Sequence, residues 1–328
     1  MTSAGHSRAF VSIFHRSDGH AGAAPLRRRR DDVDPSRESF MAKIWFITGA
    51  SSGFGKALAE HVLAGGDCAV LTARRLAPLQ AIAGRHGDRA LALPMDVTDA
   101  AARASALLAA LQAFGRIDVL ANIAGRGSCG AVEEFSPAQL REQMELNFFA
   151  AAELTREVLP HMRAQGSGHV LNLTSVAGLV TFPACGPYCA AKFALEAWSE
   201  ALHHEVAPLG IRVTLVEPGA FRTEFAGDAN MRPAQPLDAY RAIVAPMLDY
   251  FEREAGKQAG DPAKAARVMV DAVNSDAPPL RLMLGRDAYH AWDAAIAARE
   301  ADLAAWRDRG EATAYDGVEV TSIESLSA

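Results

Sequence analysis

The sequence predicts a single α/β domain, doubly wound around a parallel sheet. Three observations predict it. From residue 43 onward, short apolar runs alternate with amphipathic ones, with no obvious linker between them. The apolar runs are almost continuous, as strands covered by helices on both faces must be. The first of them leads directly into a glycine-rich turn and an amphipathic helix.

Residues 1–40 stand apart. They are rich in Gly, Ser, Ala, Arg and His and show no sustained apolar period. The basic run Arg27-Arg28-Arg29-Arg30 is followed at once by Asp31, Asp32 and Asp34, which offset its field, and no apolar segment follows as a secretory signal requires. We expect a disordered extension over 1–40, with Met41 as the natural start. The domain is expected over 41–310, with a substrate lid at about 221–260, and a flexible tail over 311–328.

Composition narrows the function. The chain has 328 residues, a net charge of −6 and a pI of about 5.9. A nucleic-acid partner calls for a basic stripe, and none is visible. No apolar stretch is long enough to span a bilayer, so no membrane partner is expected. The four cysteines, Cys68, Cys129, Cys185 and Cys189, are too few for a disulfide scaffold in so long a chain, which favours a reducing, cytoplasmic location. Cys185 and Cys189 have no nearby His or carboxylate to complete a ligand set, so no metal is expected.

Lys43 to Thr48 reads as the first buried strand. Gly49-Ala50-Ser51-Ser52-Gly53-Phe54-Gly55 follows, then a helix with Leu58, Val62 and Leu63 on its inner stripe. Strand, glycine turn and helix together make a phosphate cradle: Gly49 turns the chain, and Gly53 and Gly55 let backbone approach a pyrophosphate at the helix N-terminus. The second strand, Cys68 to Thr72, ends at Ala73, Arg74 and Arg75. An acid there would hold a ribose 2′-hydroxyl; two guanidiniums instead suit a 2′-phosphate, which points to NADP(H). A third strand, Ala90 to Leu93, leads to Asp96-Val97-Thr98-Asp99. Asp96, with Val97 beside it, is a candidate for the adenine end of the cofactor, while Asp99 or Thr98 is placed to cap a helix starting near Ala100. The fourth strand, Ile117 to Asn122, runs into Asn122-Ile123-Ala124-Gly125.

The second half carries the chemistry. A long helix is expected over roughly 137–165, with the amide of Asn147 in its interior. The strand Val170 to Ser175 puts Ser175 at its carboxyl end, where open α/β sheets bind ligands. Tyr188-Cys189-Ala190-Ala191-Lys192 begins the next helix, so Tyr188 and Lys192 share a face. A phenol is too weak an acid to act as an efficient base at neutral pH, and a neighbouring ammonium favours its ionised form. Tyr188 is then suited to exchange a proton with a substrate oxygen that Ser175 hydrogen-bonds.

These motifs resemble the short-chain dehydrogenase/reductase family, and the likeness covers about residues 43–225. Thr48 to Gly55 resembles its cofactor motif, and Asn122-Ile123-Ala124-Gly125 its Asn-Asn-Ala-Gly element, with Ile123 departing from the second Asn. Tyr188 and Lys192 match its catalytic pair, with Ser175 thirteen positions upstream, and Asn147 matches the fourth member of its tetrad. Pro218-Gly219-Ala220-Phe221-Arg222-Thr223 resembles the Pro-Gly turn whose threonine reaches the nicotinamide side, and Arg74 matches the basic position of NADP-preferring members. The resemblance implies a Rossmann-type sheet of seven parallel strands, a nicotinamide cofactor and an oxidoreductase acting on a carbonyl or alcohol. It implies that Tyr188 is the general acid/base, that Lys192 lowers its pKa and binds the nicotinamide ribose, that Ser175 orients the carbonyl, and that Asn147 holds a water linking Lys192 to solvent. A cofactor-sensing or scaffolding protein on the same fold need not keep Ser175, Tyr188 and Lys192 together.

After Thr223, Phe225, Met231, Tyr240, Met247, Tyr250 and Phe251 give the lid apolar mass, which suits an apolar small-molecule substrate and equally suits packing of the lid on the body. Pro279 to Gly285 reads as the last strand. Asp287 to about Arg309 reads as a helix with Trp292, Ile296, Leu303 and Trp306 on one side, weakly resembling the C-terminal extension of longer family members. The resemblance implies homo-oligomers, and a homodimer is expected. Cys189, adjacent to Tyr188, is a candidate point for oxidation or alkylation to block the site.

Overall fold

The computed structural model describes residues 42–226, 230–233 and 235–318. Among them, seven strands form one parallel sheet: β1 Ile44–Thr48, β2 Cys68–Ala73, β3 Ala90–Pro94, β4 Val119–Asn122, β5 Gly168–Leu173, β6 Ile211–Pro218 and β7 Arg281–Leu284. Their order is β3-β2-β1-β4-β5-β6-β7, and every neighbouring pair is parallel. The helices are α1 Gly53–Ala64, α2 Leu76–Ala83, α3 Ala100–Phe114, α4 Pro137–Met144, α5 Ala150–Gln165, α6 Gly186–Val206, α7 Arg241–Glu254, α8 Pro262–Asn274 and α9 Arg286–Glu311.

The two-residue period of β1 explains the layering. Trp45 and Ile47 point to one face and pack with α1, α2 and α8; Phe46 points to the other and packs with α3, α5 and α6. All three are fully buried, which is why the strand reads as an unbroken apolar run. The chain winds outward from β1 to β3, then crosses back to β4 on the other side of β1. That reversal leaves a crevice beyond the carboxyl ends of β1 and β4. Thr48 secures it: its Oγ1 accepts from Ile123 N at 2.8 Å and Ala124 N at 3.0 Å.

Three elements differ from expectation. The helix expected over 137–165 is α4, a π-helical turn Glu145–Phe149 and α5, because the backbone slips by one residue around Asn147. β5 stops at Leu173, so Ser175 lies beyond the strand and opens a short 3₁₀ turn, Val176–Gly178. The apolar side expected on α9 is split. Trp292 packs against Val176, Leu179 and Val180, and Arg299 donates to Leu179 O at 2.6 Å, but Leu303 and Trp306 are exposed. The expectations for 1–40 and 319–328 lie outside the described residues, and residues 312–318, which follow α9, are exposed. Among the described residues, no helix is long and apolar enough to cross a membrane.

Candidate active site

The glycine turn forms a tight cradle. A Cβ on Gly55 would meet Gly49 O at 2.4 Å, and one on Gly49 would stand 3.0 Å from Ala124 N. Gly53 has φ +51° and lies under the Thr223 side chain, and the Phe54 and Phe221 rings pack at 5.0 Å. Phe221 and Thr223 therefore pack over the cradle. Helix α1 starts without a side-chain cap from Ser52 and without an acid in its first turn, whereas α3, α4 and α8 are capped by Asp99, Ser136 and Asp261. Ser51 and Ser52 are half-buried in the turn. Uncapped N–H groups, the helix dipole and a backbone stripped of Cβ atoms fit the pyrophosphate of a dinucleotide.

Arg74 and Arg75 follow β2 and are exposed; Arg75 stands 3.5 Å from Glu224 of the lid root. Asp96 lies beyond β3. Burial raises its pKa, but the Thr98 N–H and hydroxyl, together with the charge of Arg74, outweigh that and hold the carboxyl below its usual range. Val97 is buried, and its carbonyl accepts from the buried Arg103 at 2.9 Å. Asn122 Nδ2 donates to Asn172 Oδ1 at 2.8 Å and to Thr155 Oγ1 at 3.0 Å, which ties β4 to β5 and α5. Ala124 follows it with its N–H on Thr48, and Gly125 has no room for a Cβ, which would meet Asn147 Oδ1 at 2.7 Å.

Ser175, Tyr188 and Lys192 come together at one wall of an apolar cavity of about 710 Å³, which Phe54, Gly125, Asn147, Pro218, Gly219 and Thr223 also line. Ser175 Oγ accepts from Ala177 N at 3.1 Å, and Lys192 Nζ donates to Leu173 O at 2.7 Å. The Tyr188 N–H, at the start of α6, donates to Ser128 Oγ at 3.2 Å. Asn147 Nδ2 donates to Arg126 O at 3.0 Å, and its Oδ1 accepts from Arg126 N at 3.2 Å. The π turn thus aims this amide at the loop following Gly125. The Pro218-Gly219-Ala220 turn is pinned from the C-terminal side: Gly219 N donates to Leu284 O at 2.9 Å and Ala220 N to Asp287 Oδ2 at 2.6 Å.

Burial acts on both Tyr188 and Lys192. It pushes the Tyr188 phenol above the ordinary range, and the Ser175 hydroxyl works only partly in the other direction. Burial also pulls the Lys192 ammonium down to about 8, opposed by the charge of Glu196. Lys192 Nζ stands 5.9 Å from the phenol ring centroid. Cys189 is buried, and it is Cys185, one turn earlier, that lines the cavity; burial holds its thiol at about 12, far from the reactive thiolate.

The lid supplies the facing wall through Phe225, Met247, Tyr250 and Phe251, with the Phe225 ring 5.3 Å from that of Tyr188. Met231 is buried away from it, and Tyr240 donates its hydroxyl to Glu133. Ile243, Pro246, Phe182 and Asp287 also line the cavity and were not singled out from the sequence. Ile243 and Pro246 carry only the apolar pattern of their helix, and Asp287 reads as an ordinary first-turn acid.

Comparison with known proteins agrees with this geometry. The short chain dehydrogenase family matches residues 43–234. The chain belongs to that family. It is accordingly an oxidoreductase acting between CH–OH and C=O groups. It is 34% identical over 275 residues to Oxidoreductase BOA17 of Botryotinia fuckeliana, covering 84% of this chain and 100% of that one. It is 34% identical over 244 residues to a 3-ketodihydrosphingosine reductase of Bacteroides thetaiotaomicron, covering 74% and 88%. A solved short-chain dehydrogenase from Streptomyces avermitilis shares 42% identity at a TM-score of 0.78, covering 84% of this chain and 100% of that one.

Proposed function

We propose that this short-chain dehydrogenase uses NADP(H) to interconvert an apolar ketone or aldehyde and its alcohol. The observation that carries the reading is the meeting of Ser175, Tyr188 and Lys192 at one apolar cavity that Phe54 of the glycine turn also lines. NADP(H), when bound, supplies or accepts the hydride. The chain's own residues do the rest. The turn from Gly49 to Gly55 and the start of α1 hold the pyrophosphate, Arg74 and Arg75 pair with the 2′-phosphate, and Asp96 and Val97 border the adenine. Gly125, Pro218, Gly219 and Thr223 bound the nicotinamide side. Ser175 orients the substrate oxygen. Tyr188, neutral in the buried site, gives its proton to that oxygen in reduction and takes it back in oxidation, while the positive charge of Lys192 stabilises the phenolate left behind. Asn147 holds the backbone of Arg126 and so the shape of the cavity floor.

The apolar lid wall supports an apolar substrate, as does the likeness to a 3-ketodihydrosphingosine reductase. The reading takes the enzyme as a cytoplasmic homodimer; its four cysteines are all free. Light scattering giving only monomer would remove the dimer.

Parallel titration with NADPH and NADH tests the cofactor. NADPH is expected to bind more tightly, and Arg74→Ser to cost about ten- to a hundredfold of that affinity while sparing NADH, the worth of a charged hydrogen bond. Equal affinities would overturn the NADP assignment. Binding without turnover across a panel of apolar carbonyls would overturn the proposed reaction.

A further inference from the structure

Behind Lys192 lies a buried charge cluster that the proposed mechanism leaves unused. Lys192, Glu196 and Glu200 follow one another at four-residue intervals along one face of α6. Glu196 is 4% exposed, and Glu217, next to the Pro218-Gly219 turn on β6, is 1% exposed. Arg281 of β7 reaches all three carboxylates. Its Nη1 donates to Glu196 Oε2 at 2.6 Å and to Glu217 Oε1, and its Nη2 donates to Glu200 Oε1. The cluster therefore joins the lysine helix, the strand leading to the Pro-Gly turn and the last strand of the sheet.

The charges balance only with a proton added. Lys192 and Arg281 bring two positive charges, and Glu196, Glu200 and Glu217 bring three negative ones when all are ionised. Glu200 is partly solvated, whereas two adjacent buried carboxylates cannot both ionise cheaply. One proton held by the Glu196–Glu217 pair makes the cluster neutral. Glu217, the more deeply buried of the two, holds it beside the Glu196 carboxylate. Burial correspondingly pushes Glu217 up to about 7 and raises Glu196.

We infer that Glu196 is a positioning residue for the reaction: it is the anion that holds buried Lys192 in its ammonium form, as part of a one-proton pair with Glu217 clamped by Arg281. This rests on the proposed role of Lys192. Among the described residues, the charged groups around the pair are Lys192 and Glu200 on α6 and Arg281 on β7. Of these, Lys192 alone belongs to the catalytic wall. Without Glu196, burial acts on the lysine unopposed.

The test reads the lysine directly. The sequence has five lysines, so ¹³C-labelled lysine in the full-length, cofactor-free protein gives a countable set of side-chain signals, and Lys192→Arg assigns the one of interest. Glu196→Gln is expected to lower the Lys192 titration midpoint by about one pH unit or more, Glu196→Asp to restore part of it, and Glu217→Gln, which leaves Glu196 as the anion, not to lower it. In turnover, the alkaline limb of the pH profile is expected to move down in parallel for Glu196→Gln. An unchanged Lys192 midpoint in Glu196→Gln overturns the inference. So does a fall of the same size in Glu217→Gln, which also decides the matter should Glu196→Gln fail to fold. A shifted lysine in a protein that turns over no carbonyl upholds the electrostatic link and overturns the proposed reaction, so the two failures are distinguishable.

Discussion

The two walls of the cavity are built by different rules. The catalytic wall is part of the core: Ser175, Tyr188 and Lys192 are each less than 10% exposed and are fixed by the end of β5 and by α6, which is tied to β6 and β7 through Arg281. The lid wall is a veneer. In α7 only Val244 is buried, and Ile243 and Tyr250, which line the cavity, are 53% and 39% exposed. Proton transfer requires tight positioning, which only close packing gives. Apolar recognition tolerates change, so a loosely seated helix suffices for it. On the proposed function, the contrast separates the residues that set the reaction from those that set its substrate.

The largest expected effect lies on the catalytic wall. Tyr188→Phe keeps the ring and removes the proton, so turnover is expected to fall by about 10²- to 10⁴-fold with nicotinamide binding and melting temperature nearly unchanged. Near-normal turnover in steady-state assays would break the comparison, because the wall would then be only structural. A second prediction probes the strand beneath that wall. His169, at the start of β5, lies 2.9 Å from Thr214 Oγ1, whose proton goes to Pro279 O at 2.7 Å, so the imidazole Nε2 carries the hydrogen. Burial holds His169 down at about 4, with the charges of Arg212 and Lys43 acting in the same sense. Its folded pKa lies below its unfolded one, so as pH falls from about 6.5 to 4 the unfolded chain takes up a proton that the folded chain refuses. Up to about 3 kcal/mol of stability is then lost. Denaturant melts at pH 7 and pH 4.5 should show this loss, and His169→Gln should reduce it; an equal loss in the variant assigns the acid sensitivity elsewhere. The smallest effect belongs to the lid. Phe251→Ala is expected to lower kcat/KM for bulky apolar carbonyls by about tenfold while leaving small ones and the melting temperature almost untouched. A uniform loss across substrate sizes would show that the lid also positions the chemistry.

Much of the site was legible because it depends on spacing along the chain. The strand, glycine turn and helix from Ile44 to Ala64 follow from an apolar run, glycines and helical period, all local properties. Tyr188 and Lys192 share a face because they are four apart on one helix. The π turn had no such signal. Glu-Leu-Asn-Phe-Phe reads as ordinary helix, and the slip that aims Asn147 at Arg126 involves a loop twenty-one residues away. Likewise, the partition of α9 into a packed half and an exposed half depends on where the loop after Ser175 ends, not on the residues of α9.

By itself the sequence determined the α/β class, the family, the glycine cradle, the arginines after β2 and the order of Asn147, Ser175, Tyr188 and Lys192. These are consequences of backbone periodicity and local side-chain chemistry. Only the tertiary structure decided that burial raises the Tyr188 phenol, that Cys185 and not Cys189 faces the cavity, that Asn122 bonds Asn172 of the next strand, and that Glu196, Glu217 and Arg281 meet behind Lys192. Desolvation and charge pairing depend on what residues far apart in the chain bring to the same place, and that is set by how the layers pack.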